Sequence, residues 1–202
     1  DGFKKALNDV DIVLHEACRG GIGQSMYEIK NYVNTNISGT ANLLNILANE
    51  NHNLRKLVIA SSFSGYGEGA YDCASCGTVF PPLRSEEQLK QGRWEPVCSS
   101  CGKDLKPAQT QENAPLQPTS IYAITKATQE QMALCIGKAY GIPSVMLRYF
   151  CVYGPRQSLS NPYTGVAAIF ISRIKNNSPP LIFEDGLQTR DFVSVHDIAA
   201  AN

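Results

Sequence analysis

The chain has 202 residues, 43% of them hydrophobic and 18% charged, an ordinary globular composition with enough length for a sizeable core and, by default, one domain. Eighteen basic and eighteen acidic residues balance, so no global field draws it to nucleic acid or to an anionic membrane. It has no apolar run of the roughly 18 residues a membrane span needs, and no signal-peptide pattern ahead of its first strand. It opens without Met at Asp1 and stops at Asn202 just after a helix begins, which leads us to expect an internal segment of a longer protein.

In chain order, Asp11-Ile12-Val13-Leu14-His15 predicts a short buried parallel strand, followed by small, Gly-rich residues from Ala17 to Gly23. Residues 32–49, with Val33, Ile37, Leu43, Leu44, Ile46 and Leu47, predict a helix. Leu57-Val58-Ile59-Ala60 is a second buried-strand run, ending in Ser61-Ser62. A helix over residues 120–140 is closed by Gly141 as its C-cap, with Pro143 just beyond. Residues 144–149 predict another strand and 169–175 part of another helix; Leu181-Ile182-Phe183 and Phe192-Val193-Ser194-Val195 read as short strands. Strand alternating with helix predicts an α/β fold with a doubly wound parallel sheet, whose ligands sit at the carboxyl ends of the strands. Two Gly-rich stretches, 20–23 and 65–69, are similar to phosphate-binding turns, but neither spells G-x-G-x-x-G between strand and helix. Both are expected to be strand-end loops beside the cofactor or substrate cleft, where Gly lets a ligand approach the backbone.

Composition changes abruptly between Gly69 and Ala108, so residues 69–108 are expected to be an insert in a core made of residues 1–68 and 109–202. Cys73, Cys76, Cys98 and Cys101 spell C-x-x-C-G twice, a spacing that matches a closed tetrahedral zinc site; disulfides or redox chemistry are the alternative. Four thiolates leave no open coordination position, so such a zinc would be structural. From Cys73 to Lys106 five basic residues face four acidic ones, a net of +1 that makes a poor footprint for a phosphate backbone. The insert therefore reads as a lid or partner contact rather than a nucleic-acid ribbon. The scattered Cys18, Cys135 and Cys151 read as small buried thiols, and the overall usage suits a reducing cytoplasm better than a secreted disulfide framework.

Tyr122 and Lys126 lie four residues apart at the start of the predicted 120–140 helix, so their side chains leave one face toward a common point. A nearby cation favours phenolate, which can turn a tyrosine into a general base near neutral pH. By itself such a pair is most often a solvated surface pair. With the insert set aside, Ser62 at the end of one strand becomes a neighbour of Tyr122, and Ser, Tyr and Lys can surround one substrate oxygen.

These residues, together with DIVLHEA (11–17), GQS (23–25), NISGT (36–40), SSFSGYG (61–67), RYFCVYGP (148–155) and GLQTRDFVSVHD (186–197), resemble the extended short-chain dehydrogenase/reductases, specifically the NAD-dependent nucleotide-sugar epimerases and dehydratases. A four-Cys insert between the Ser and Tyr motifs is similar to the subgroup of dTDP-L-rhamnose 4-epimerases. The resemblance implies a Rossmann-like fold in which Tyr122 is the acid/base on the sugar hydroxyl and Ser62 hydrogen-bonds that hydroxyl. It makes Lys126 the residue that binds the nicotinamide ribose and lowers the tyrosine pKa. Ala17, Asn36 and Ser61 would lie beside or support the cofactor, while Gln24, Ser25, Ser62, Cys151 and Arg190 would meet the substrate, Arg190 at its diphosphate. It also implies a nucleotide-sugar substrate, a homodimer, a first βαβ unit with the Gly-rich turn before Asp1, and further substrate lobe after Asn202. The piece alone would then be inactive.

Departures from the family pattern narrow the chemistry. Phe63 and Ser64 stand where dehydratases place Asp-Glu, and Gly65 stands in place of Val, so no carboxylate is present for dehydration or decarboxylation. Cys151 replaces a common Asn, and Glu16 occupies a usually apolar position. The expected reaction is 4-epimerisation by transient oxidation and re-reduction at C4. The alternatives are an NADPH-dependent 4-keto-sugar reductase and a catalytically inactive zinc-ribbon interaction protein.

Overall fold

The computed structural model describes residues 2–158 and 165–202. Helix α1 (Gly2–Ala6) precedes strand β1 (Ile12–His15); α2 (Ile22–Ser25) follows, and α3 (Ile29–Tyr32) runs through a π-helical stretch, Val33–Ser38, into α4 (Gly39–Asn49). Strand β2 (Lys56–Ser62) ends in a 3-10 turn, Phe63–Tyr66, and leads to β3 (Tyr71–Cys73), β4 (Gly77–Val79), α5 (Glu86–Lys90) and β5 (Lys106–Pro107). The long helix α6 (Ile121–Tyr140), β6 (Ser144–Tyr149), β7 (Cys151–Tyr153), α7 (Val166–Lys175), β8 (Phe192–Ser194) and α8 (Val195–Ala201) follow.

Strands β1, β2 and β6 form a parallel sheet in that order, with Leu14 opposite Val58 and Val58 opposite Val145. Paired residues point to the same side, so Val13, Leu57, Ile59 and Met146 share one face, and there they meet Leu43, Leu44 and Leu47 of α4 and Ala133 of α6 in the main core. A continuous apolar run is what a central parallel strand requires, and six of the seven residues of β2 are buried. The sequence reading fails at β1: Ile12 and Leu14 are each 49% exposed, because β1 is an edge strand whose second face is uncovered. Helix α6 starts at a Ser120 cap whose Oγ accepts from Ala123 N, and it ends at Gly141 in the left-handed region, as its sequence predicts. It lies close on the start of β6, where a methyl at Gly137 would overlap Ser144 Oγ and the Ile142 carbonyl.

Three further readings change. Residues 181–183 form no strand and expose all three apolar side chains. Cys18 and Cys135 are exposed and Cys151 only half-buried, so none of the three is the enclosed thiol expected; Cys18 sits in an open strand-end loop and Cys135 on the outer side of α6. The helix expected over 32–49 is interrupted by its π-helical turns. Within residues 69–108, the expected insert, lies a small antiparallel sheet, β4-β3-β5, with its own cluster of Cys73, Cys98 and Leu105. Its neck is tied where Ala108 N donates to Ala70 O and Ala70 N to Thr110 Oγ1, each at 3.0 Å.

Candidate active site

Strand β2 delivers Ser61 and Ser62 to the carboxyl edge of the sheet, and α6 brings Tyr122 and Lys126 over it. Ser62 Oγ accepts from Ser64 N at 3.2 Å and from Ser64 Oγ at 2.9 Å. A hydroxyl has two lone pairs and one hydrogen, so this leaves the Ser62 hydrogen free to be donated. Ser64, read from sequence only as a missing carboxylate, is thus the residue that orients Ser62. Its signal was the Ser-x-Ser spacing of a local side-chain turn.

Burial pushes the Tyr122 phenol up to about 12, against a smaller downward influence of the Ser62 hydroxyl. The expectation that Lys126 draws this proton off is not met. The Lys126 ammonium instead donates to the Ala60 carbonyl, and desolvation lowers its own pKa. A cation spent on a strand carbonyl does little for a phenol one turn away.

Several of the other expected ligands are engaged as braces. Ser25, fully buried, accepts from Tyr122 N at 3.0 Å and donates to Ile22 O, so it fixes the start of α6. Asn36, at 0% exposure inside the π-helical stretch, accepts from Arg19 N at 2.7 Å and donates to Arg19 O and to Thr125 Oγ1. It therefore bridges the loop after β1 to the residue preceding Lys126, and π-helical turns often serve such functional placements. Gln24 donates to Glu28 and accepts from the Tyr32 hydroxyl. Ser61 donates to Glu130 at 3.0 Å. Ala17 is exposed on the loop past β1. Glu16, unexplained from sequence, accepts from Tyr149 Oη at 3.2 Å.

Two buried networks escaped the sequence reading because their members are far apart in the chain. Glu130 pairs with Arg148, which also donates to Tyr66 Oη at 2.7 Å and to Glu112 O. His15 Nε2 meets Thr40 Oγ1 at 2.8 Å; Thr40 donates to Asn36 O and accepts from Gln129 Nε2, so the proton of a neutral His15 sits on Nε2. Burial, helped by the Lys126 charge, lowers the His15 pKa.

Beside this set lies a cavity of about 480 Å³ that reaches from Phe63 and Ile22 past Cys151 to Arg190. Arg190 is exposed, and its Nη1 donates to Thr189 O. The opposite wall belongs to the insert, through Tyr71, Arg84 and Trp94. In the insert itself the four sulfurs of Cys73, Cys76, Cys98 and Cys101 lie within 4.8 Å of one another, all free thiols. The Cys73–Cys101 pair is 3.5 Å apart, close to the roughly 3.8 Å edge of a tetrahedral Zn–S₄ centre.

Comparison with known proteins agrees with this arrangement. The dTDP-L-rhamnose 4-epimerase of Burkholderia thailandensis is 35% identical over 191 residues, 95% of this chain and 51% of that protein. Two solved structures superpose: the UDP-N-acetylglucosamine 4-epimerase of Methanobrevibacter ruminantium in complex with UDP-N-acetylmuramic acid (TM-score 0.74, 31% identity, 100% of this chain and 53% of that one) and the UDP-glucuronic acid 4-epimerase of Bacillus cereus with UDP-glucuronic acid and NAD (0.72, 28%, 100% and 52%). The chain thus spans about half the length of the relatives it matches. The NAD dependent epimerase/dehydratase family matches residues 2–89 and 97–202, and the chain, with its Rossmann-like parallel sheet, belongs to that family.

Proposed function

We propose that the protein to which this chain belongs is an NAD-dependent nucleotide-sugar 4-epimerase, with dTDP-L-rhamnose as its first candidate sugar. The observation that carries the reading is the Ser62 hydroxyl at the carboxyl edge of a parallel sheet, both its lone pairs filled by Ser64, next to the start of the helix that bears Tyr122 and Lys126. Tyr122 takes the C4 hydroxyl proton as the carbon is oxidised and gives it back when the ketone is reduced from the other face. Ser62, its lone pairs filled, donates to the same sugar oxygen and steadies the charge that develops there. The Ser62 hydroxyl works against the burial that holds the phenol protonated, while Lys126, its ammonium on the Ala60 carbonyl, is placed to hold the cofactor.

The residues present fit NAD. Lys126 has three donors, of which the Ala60 carbonyl takes one, leaving two of the kind a ribose diol accepts. Among the described residues, Arg19 Nε in the loop after β1 is buried without a partner. Lys126 and the 17–23 loop, held by Asn36, would hold the cofactor, with Ala17 and Ser61 alongside. NAD, when bound, supplies the hydride acceptor and returns the hydride, so no net redox partner is consumed. Arg190 and Cys151 would meet the diphosphate and the sugar, with Gln24 and Ser25 acting as braces.

We further propose that residues 69–108 are a distinct insert held by one structural zinc on Cys73, Cys76, Cys98 and Cys101. Their mutual spacing and the small apolar cluster around them support this. An apolar groove between α4 and α6, lined by Leu44, Ala48, Met132 and Ile136, would seat a second copy in a homodimer. Among the described residues no helix is long and apolar enough to cross a membrane, and the free thiols suit a reducing cytoplasm.

The test is an assay of the full-length protein with a panel of dTDP- and UDP-sugars and no added cofactor, products being separated by chromatography. Interconversion of C4 epimers without net NADH formation is expected. Turnover only with added NADPH would replace the epimerase by a 4-keto-sugar reductase. No turnover with zinc intact would favour the interaction protein.

A further inference from the structure

The cavity beside the catalytic set carries two arginines and more carboxylates than cations. Arg84 from the insert and Arg190 line it together with Glu68, Glu95, Glu184 and Asp191. A diphosphate entering such a cleft needs a guanidinium that is not already paired with a carboxylate. Glu184 lines the same cleft as Arg190 and feels its charge. It is occupied: Arg84 Nη1 donates to Glu184 Oε2 at 2.9 Å, and the same nitrogen donates to the Trp94 carbonyl at 2.6 Å, which anchors it in the insert. Both members of the pair are mostly enclosed, each with 22% of its side chain exposed, so solvent screens the contact only in part. Gln188 Nε2 holds the same Glu184 oxygen at 2.9 Å. Arg190 itself donates to the carbonyl of its neighbour Thr189, and among the described residues it forms no ion pair.

We propose that Arg84 is a positioning residue for the substrate: by sequestering Glu184 it keeps Arg190 free to bind the diphosphate of a nucleotide sugar, so the four-Cys insert sets substrate affinity without touching the reacting carbon. This rests on the nucleotide-sugar reading given above. It assigns the insert a task in the cleft that a remote zinc ribbon would not have. It also makes the effect electrostatic and reversible: the harm done by losing Arg84 comes from a carboxylate that can itself be removed.

The experiment measures the dissociation constants of dTDP and UDP by titration calorimetry on the full-length protein, in the wild type, Arg84→Ala, Glu184→Gln and the double variant, at low and at high salt. Arg84→Ala is expected to weaken the better nucleotide about tenfold at low salt, about 1.4 kcal/mol, as Glu184 captures Arg190, and less at high salt. Glu184→Gln alone should bind like the wild type, and the double variant should recover to within about twofold of it, a non-additivity that only a shared partner produces. In turnover the Arg84→Ala defect should fall on KM and spare kcat. Zinc content and circular dichroism of all four proteins control for folding. If Arg84 merely braced the insert, the double variant would bind as poorly as Arg84→Ala, and the proposal would fall; unchanged affinity in Arg84→Ala would also overturn it. If the wild type bound neither diphosphate, the nucleotide-sugar reading itself would be wrong.

Discussion

The main core and the four-Cys insert hold their functional side chains by opposite means. Around Tyr122 and Lys126, order comes from a leucine-rich core and from buried hydrogen bonds spanning long stretches of chain, such as Asn36 to Thr125 and Glu130 to Arg148. The insert has three buried residues in its cluster, two of them cysteines, and its ion pair Arg93–Asp104 lies on the surface. A cluster of that size does little to offset the entropy of ordering some forty residues, and in the proposed zinc site the thiols would do through a metal what apolar area does elsewhere. Loss of the proposed zinc should therefore leave α6 standing while dissolving one wall of the cleft.

The largest expected effect tests that contrast directly. Removing zinc from the full-length protein with a strong chelator should abolish amide-exchange protection in residues 71–79 and 97–107 while leaving α4 and α6 protected; simultaneous loss in both regions would erase the distinction. Next, if Tyr122 is the proposed acid/base, Tyr122→Phe should cut turnover by about 10²–10⁴ without changing zinc content or melting temperature, because the hydroxyl lost would serve chemistry rather than packing. On the stability side, Glu130→Ala strands the partly buried Arg148 guanidinium and should cost about 3 kcal/mol in urea denaturation. The His15 network predicts a milder pH effect. Its folded pKa lies below the ordinary 6.5, so its contribution is complete above that value and is lost as pH falls toward the lowered one. Acid unfolding of His15→Gln should show a shallower slope in that window. Smallest of all, Asp104→Ala in the insert should change stability by no more than about 0.5 kcal/mol, since its partner Arg93 is half exposed.

What could be read ahead of the structure was what local chemistry decides. The Ser120 cap, the Gly141 stop and the apolar run of β2 each act over a few residues, and all three stand where their side chains put them. The cysteine spacing likewise brought four sulfurs together. Misjudged features depend on neighbours that a sequence does not display. Ile12 and Leu14 have the composition of a buried strand, yet their exposure is decided by what lies beyond the sheet edge. The π-helical turns at Val33–Ser38 carry no residue type that demands them; they let Asn36 face inward to Arg19 and Thr125. The Lys126 ammonium was expected at the phenol, but the Ala60 carbonyl, 66 residues away in the chain, takes its hydrogen bond. Ser25 and Gln24 were expected to meet the substrate and not to act as braces, because a hydroxyl or an amide looks the same whichever partner it will find.

Trp94 is the chain's single tryptophan, and it stands in the insert wall of the cleft, its carbonyl held by Arg84. An indole so placed is a native optical gauge. Its emission responds to the polarity of the cleft, so filling the cleft should shift the emission maximum, and melting the insert should move it toward the colour of indole in water.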